Sequence, residues 1–118
     1  MDQYNWATIP SEEMNPKTAR QAIHTERMTI AKLRLKQGAV VAMHHHENEQ
    51  VTMMEAGALR FVFGGDEAGR EIIVRAGDVL QIPPNVPHMV EVLEDTTATD
   101  LFAGRREDWI SGDDAYLR

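Results

Sequence analysis

Gly38-Ala39-Val40-Val41-Ala42-Met43-His44-His45-His46-Glu47-Asn48-Glu49-Gln50 is the stretch on which the reading of this chain turns, together with Pro83-Pro84-Asn85-Val86-Pro87-His88 further on. Side chains alternate along an extended strand, so His44 and His46 point to one face, with Cβ atoms about 7 Å apart. At that gap both imidazoles can converge on one metal ion. The carboxamide of Gln50 and a third imidazole, His88, arriving from a distant strand, complete a divalent-metal set. Glu49, a carboxylate next to Gln50, competes for the fourth position. His45 faces away from its neighbours. With no cysteine in the chain, thiolate ligands and disulfides are excluded.

The flanking sequence predicts many short strands. Thr29, Ala31, Leu33 and Leu35 alternate with Arg34 and Lys36, and Gln37-Gly38 makes a turn. Val40, Ala42, His44 and His46 are expected on one face, with Val41 and Met43 opposite. Gln50 to Glu55 reads as a strand ended by Ala56-Gly57. Leu59, Phe61 and Phe63 alternate with Ala58, Arg60 and Val62, and Gly64-Gly65-Asp66 with Gly69 supplies a hairpin connection. Glu71–Arg75 and Val79–Ile82 follow, Val90 and Val92 continue the face of His88, and Thr96–Phe102 is a threonine-rich strand. Strands at this turn-punctuated spacing predict an all-β sandwich or closed barrel. Residues 1–19, broken by Pro10 and Pro16, are expected as an arm packed over the barrel or across a dimer interface. Residues 20–104 form the barrel, and 105–118 a tail docking on it through Trp109, Ile110, Tyr116 and Leu117. His24 reads as a surface or packing histidine.

At 118 residues the chain is one domain. Its net charge of −7 argues against nucleic acid, which needs clustered Lys and Arg. It does not argue against a small anion, because a metal ion and one well-placed arginine dominate the local field. There is no apolar run of about 18 residues to span a membrane. The first residues lack the basic and apolar regions of a secretion signal. A cytoplasmic location is expected, which the lack of cysteine suits.

The spacing is more specific than the histidines alone. Gly38-x5-His44-x-His46-x3-Gln50-x6-Gly57 resembles the first motif of the cupins, with Gln50 where that family usually has Glu. Gly77-x5-Pro83-x-Asn85-x2-His88 resembles the second, with Asn85 in place of Gly and Val92 where Asn is frequent. Asn tolerates the left-handed backbone region, so the turn survives. The resemblance implies a double-stranded β-helix, or jelly-roll barrel, holding one divalent transition metal ion (Zn, Ni, Mn, Fe or Co). Motif register and strand phase favour Gln50 over Glu49 as the fourth ligand beside His44, His46 and His88. A neutral ligand set leaves the ion's charge uncompensated, which strengthens it as a Lewis acid.

A narrower likeness lies in Asp100-Leu101-Phe102-Ala103-Gly104-Arg105-Arg106-Glu107-Asp108, together with Gly77–Pro83 and Leu93–Thr96. Asp-x-Phe-x-x-x-Arg followed by Glu-Asp resembles the pectin-degradation cupins of the KdgF type. Those proteins open the ring of 4,5-unsaturated galacturonate and related unsaturated uronates. The resemblance implies that Asp100, Phe102 and Arg106 line the active site and that the substrate is a small anionic sugar acid. The residue chemistry agrees: Asp100 and Phe102 share a strand face. Asp100 can move protons, Phe102 can pack on a sugar face, and Arg106 can clamp a carboxylate bidentately. The competing readings are another cupin isomerase or cyclase, a metal-dependent dioxygenase, and a non-catalytic sugar-binding module. A homodimer is expected.

Overall fold

The computed structural model describes all 118 residues. Eight strands run in chain order: β1 (Glu12–Asn15), β2 (Thr18–His24), β3 (Met28–Leu35), β4 (Val40–His44), β5 (Gln50–Phe63), β6 (Glu71–Arg75), β7 (Val79–Ile82) and β8 (His88–Ala103). One short helix, α1 (Glu107–Ser111), follows, and single helical turns occupy Trp6–Thr8, Gly65–Glu67 and Ala115–Leu117. All pairings are antiparallel. The strand order is β1-β2-β3-β8-β5-β6, with β4 on β8 and β7 on β5, and the whole is a jelly roll.

Two long strands organise it. β8 pairs with β4 through its first residues and with β3 through Thr96–Ala103. β5 pairs with β7 through Gln50–Met53 and with β6 through Ala58–Val62, while lying along β8 for its whole length. The break expected at Ala56-Gly57 is therefore a bend within one strand. The β5–β8 register shifts between Met54 and Leu59, and Gly57 takes φ 92° there. A bend accomplished by bulges keeps the ladder running where a turn would end it. Thr96–Phe102 is likewise the second half of one strand beginning at His88.

The alternation read from sequence places the core correctly on these long strands. Leu59, Phe61 and Phe63 from β5 pack with Val90, Val92, Ala98 and Phe102 from β8, all under 8% exposed. Burial of a side chain such as Phe61 stabilises the fold by about 1.5–3 kcal/mol. β4 departs from the expected phase. Val41 is 8% exposed and Val40 58%, so Val41, not Val40, shares the inner side with His44. A register shift between Val41 and His44 inserts the extra residue that changes the phase.

The expected arm of residues 1–19 is in part sheet, since β1 and the start of β2 form a hairpin on β3. Its first residues pack on their own barrel: the Gln21 side-chain amide donates to the carbonyls of Trp6 and Ile9, both at 2.7 Å. In the tail Trp109 and Leu117 are buried and Tyr116 is half-buried, whereas Ile110, expected to dock with them, is 44% exposed.

Gly57 is the position where the bend tolerates least. A Cβ there would sit 2.3 Å from the Asp95 carbonyl oxygen and 2.7 Å from the Thr96 Cα, on a residue already at positive φ. Gly57→Ala is expected to cost about 2–4 kcal/mol. Urea unfolding followed by far-ultraviolet circular dichroism measures it, and a loss under about 0.5 kcal/mol, the usual surface effect, contradicts this account of the bend.

Candidate metal centre

Three elements bring the histidines together. His44 ends β4 and lies opposite His88, the first residue of β8, in the β4–β8 ladder. His46 follows in the loop, where its carbonyl accepts a hydrogen bond from the Asn85 amide at 2.8 Å. Asn85 has φ 64°, the left-handed turn expected of it. One ligand nitrogen from each of His44, His46 and His88 lies within 4.8 Å of the others. His88 is 1% exposed, and His44 and His46 are half-buried.

The backbone decides which nitrogen faces inward. Nδ1 of His44 lies 2.8 Å from the Ala42 carbonyl oxygen, Nδ1 of His46 2.9 Å from that of Asn48, and Nδ1 of His88 2.8 Å from that of Val86. A carbonyl only accepts, so each Nδ1 carries the proton and each neutral ring keeps its lone pair on Nε2. Fixing the tautomer through the second nitrogen is how a protein prepares imidazole for a metal.

Gln50 lies beside them. Its Oε1 lies 3.1 Å from His46 Nε2, and its Nε2 donates to Thr52 Oγ1 at 3.0 Å. Thr52 in turn gives its hydroxyl proton to Asp100 Oδ1 at 2.6 Å. With Asp100 ionised, this chain fixes the amide so that its oxygen faces the lone pair of His46. Two acceptors facing each other are stable only with a proton or a cation between them. Burial, with Arg106 and His88 adding to it, holds His46 down at about 4, so the proton is absent at neutral pH. The donor set therefore fits a divalent cation. Glu49 points elsewhere, accepting from the Gln81 amide at 2.9 Å on the outside. His45 is exposed. His24 pairs with the Thr29 hydroxyl at 2.8 Å, away from the site.

Burial also lowers His44, to about 3, with the nearby His88 reinforcing it, and lowers His88. Asp100 moves the other way. Its burial raises it to about 6, against the pull of the Thr52 hydrogen bond and the Arg106 charge. Only one of its oxygens has a protein partner. Phe102, 1% exposed, sets its ring edge-on to His46 at 5.6 Å between centroids. Asp100, Phe102 and Arg106 all line the same pocket as His44, Gln50 and His88.

Arg106 is held differently from expectation. It is 1% exposed, and its Nε and Nη2 already grip Asp108, at 3.0 and 2.8 Å. That edge of the guanidinium is not free to clamp a ligand. Nη2 also donates to the Tyr116 hydroxyl, and Nη1 has no hydrogen-bond partner in the protein. No ion pair joins Arg106 to Asp100.

Sequence reasoning passed over several residues of this region. Thr52 joins Gln50 to Asp100 across two strands, and alternation with Gln50 is its one sequence mark. Asn48 donates to the carbonyls of Ala103, Gly104 and Arg105, at 3.0, 3.0 and 3.3 Å, and so ties the histidine loop to the root of the tail. Tyr116 stacks on His44, with 4.2 Å between centroids and 18° between planes. Trp109 lies between two guanidinium groups, that of Arg20 at 4.3 Å and that of Arg106 at 4.4 Å.

The site makes two measurable statements. Added Zn2+ or Mn2+ should raise the Tm of the metal-free protein progressively with concentration, since a ligand that binds only the folded state stabilises it by mass action. His88→Ala should abolish that rise; an undiminished rise in the variant contradicts the site. Acid should weaken the metal-free protein. Between pH 6.5 and about 4 the unfolded chain takes up protons that folded His44 and His46 refuse, so stability falls as pH falls. Asp100 has the opposite sign between 3.8 and about 6, but it is one group against three imidazoles. A Tm that rises on acidification from neutral to about pH 5 contradicts the sign.

Comparisons with known proteins agree with this architecture. The model of the cupin domain family matches residues 31–103. An RmlC-like cupin from Shewanella frigidimarina NCIMB 400 superposes with a TM-score of 0.80 at 22% identity, over 90% of this chain and 93% of that one. KdgF from Halomonas sp. superposes with a TM-score of 0.80 at 24% identity, over 92% of this chain and 99% of that one. At such identities the likeness is one of fold. Oxalate decarboxylase OxdC of Bacillus subtilis (strain 168) is 32% identical over 80 residues, covering 66% of this chain. The chain spans only 20% of that relative's length. A family match across the residues that include His44, His46, Gln50 and His88, on a jelly roll that superposes on solved cupins, makes this chain a member of the cupin family.

Proposed function

We propose that this protein is a metal-dependent enzyme that opens the ring of a 4,5-unsaturated uronate, 4,5-unsaturated galacturonate or a close relative, to the linear keto form. One observation carries the reading. The Asp-x-Phe-x-x-x-Arg side chains Asp100, Phe102 and Arg106 share a single pocket with His44, His88 and the carboxamide of Gln50, and a ligand nitrogen of His46 lies within 4.8 Å of those of the other two imidazoles. The likeness of that segment to the KdgF-type cupins, and the fold shared with KdgF from Halomonas sp., support it.

On this reading His44, His46, His88 and Gln50 hold the ion, and Asp100 is the proton carrier. When bound, the ion would supply Lewis acidity to this pocket. Asp100 is buried and raised to about 6, so at neutral pH it is mostly ionised yet more basic than a solvated carboxylate. The oxygen that Thr52 leaves unpartnered can take the proton of the anomeric hydroxyl. As that O–H electron pair becomes the aldehyde C=O, the bond from the anomeric carbon to the ring oxygen breaks, leaving an enolate. Asp100 returns the proton to the enol carbon, so the reaction is an isomerisation with no co-reactant. Phe102 supplies an apolar wall that excludes water from the enolate, and the Arg106 charge favours an anion in the pocket.

The test is the ultraviolet band of the conjugated enol ether in freshly prepared unsaturated galacturonate. Metal-loaded protein should make it fade faster than it does spontaneously, and no acceleration would sink the reading. Asp100→Asn should lower kcat by about 10²–10⁴, the range for loss of a general acid–base. Thr52→Val should cost less, because it removes the link to Gln50 while leaving the carboxylate in place.

A further inference from the structure

Tyr116 lines the pocket beside Trp109, and its ring and its hydroxyl both meet residues of the site. Its ring lies flat on His44, at 4.2 Å and 18°. Its hydroxyl oxygen accepts from two donors, Arg106 Nη2 and Trp109 Nε1, the latter at 2.8 Å. With Tyr116 in place the pocket keeps only about 50 Å³ of free volume. That is room for a few waters and far below the roughly 300–1,000 Å³ of a small-molecule pocket.

Arg106 shows what the hydroxyl is standing in for. A guanidinium offers donors along two kinds of edge: a side edge through Nε and one Nη, and an end edge through both Nη atoms. Asp108 fills the side edge. The end edge is half filled, since the Tyr116 hydroxyl takes Nη2 and Nη1 is unpartnered. Remove the hydroxyl and the end edge becomes a complete fork of the kind that binds a carboxylate bidentately, with the Trp109 N–H beside it as a third donor.

We propose that Tyr116 is an internal placeholder for the substrate. Its ring occupies the seat of the sugar ring, its hydroxyl occupies the position of one carboxylate oxygen, and an arriving uronate displaces both to bind Arg106 Nη1 and Nη2 and Trp109 Nε1. The ligand class rests on the proposed uronate reading; the displacement itself does not require turnover. Gly112 marks where the tail can turn. It has φ 84° and open space around its Cα, and it separates α1, which carries Trp109, from Tyr116. Asp114 ties the segment to the barrel through Arg20, 3.0 Å from it. Apparent affinity for ligand is then reduced by the fraction of molecules in which Tyr116 is seated.

The experiment measures binding of galacturonate, a saturated uronate that lacks the reactive enol ether, to the metal-loaded protein by calorimetry. Tyr116→Ala should tighten it about tenfold, the factor expected for release of one charge-assisted hydrogen bond. Trp109→Phe, added to that variant, should reverse most of the gain by removing the third donor. If Tyr116→Ala fails to fold, Tyr116→Phe keeps the ring on His44, frees both donors, and should tighten binding by about threefold. Unchanged or weaker binding in a folded Tyr116 variant overturns the proposal, as does absence of galacturonate binding in both wild type and variant. Tail-dependent binding combined with no effect on the ultraviolet band of the unsaturated sugar would reject the ring-opening reading and leave this one standing.

Discussion

Three hydrogen bonds from imidazole Nδ1 to backbone carbonyls govern the centre of this molecule. For His44 and His88 the acceptor is the carbonyl two residues earlier, and for His46 the one two residues later. Ring orientation is therefore set by local backbone shape: the irregular end of β4, the loop before β8 stiffened by Pro83, Pro84 and Pro87, and the turn through Asn48. Once these bonds form, three lone pairs point at a common space, and the protein has arranged nothing cationic of its own to lie between them. The pocket is a cluster of acceptors with a guanidinium at its edge, and its lone pairs suit a metal ion.

Much of this was legible in the sequence, for physical reasons. Glycine and histidine spacing carries the motif because the turns at Gly38 and Gly57 need positive φ and the imidazoles must fall on one side. Asn85 could be assigned a left-handed turn because few other side chains tolerate one. The even-numbered residues from His88 to Phe102 are buried as alternation requires, except Glu94, which is exposed. The phase of β4 was hidden, since a bulge adds a residue to one strand without any residue type announcing it. Ala56-Gly57 read as a stop because a glycine that bends a strand and one that ends it look alike without the partner strands. The commitment of Arg106 was hidden too. Its partners Asp108 and Tyr116 sit in a polar tail that shows no periodicity, and only the folded chain brings them to the barrel mouth.

Charge is distributed with the same economy. The chain is net acidic, yet both Arg20 and Arg106 stack their guanidinium groups on the ring of Trp109. Two cations so close would repel, and Asp114 and Asp108 offset them one apiece. Burial alone would raise the Asp108 carboxyl, but the Arg106 hydrogen bonds and charge outweigh it and hold it below the usual carboxylate range. The Arg106 charge still helps keep the proton off the three imidazoles, after their burial.

The two long bent strands have one further consequence. Gln50, Thr52, His88 and Asp100 are laid on the same β5 and β8 backbones as Leu59, Phe61, Val92 and Ala98, with no hinge between them. The chemistry and the packing are one cooperative unit, so local breathing cannot spread the donor atoms apart while the barrel persists. Evolution on this scaffold is constrained accordingly. A methyl group gained or lost beneath Phe61 would be felt as a displaced carboxamide or carboxylate, whereas the tail, attached through side chains alone, is free to diverge and take new ligands with it.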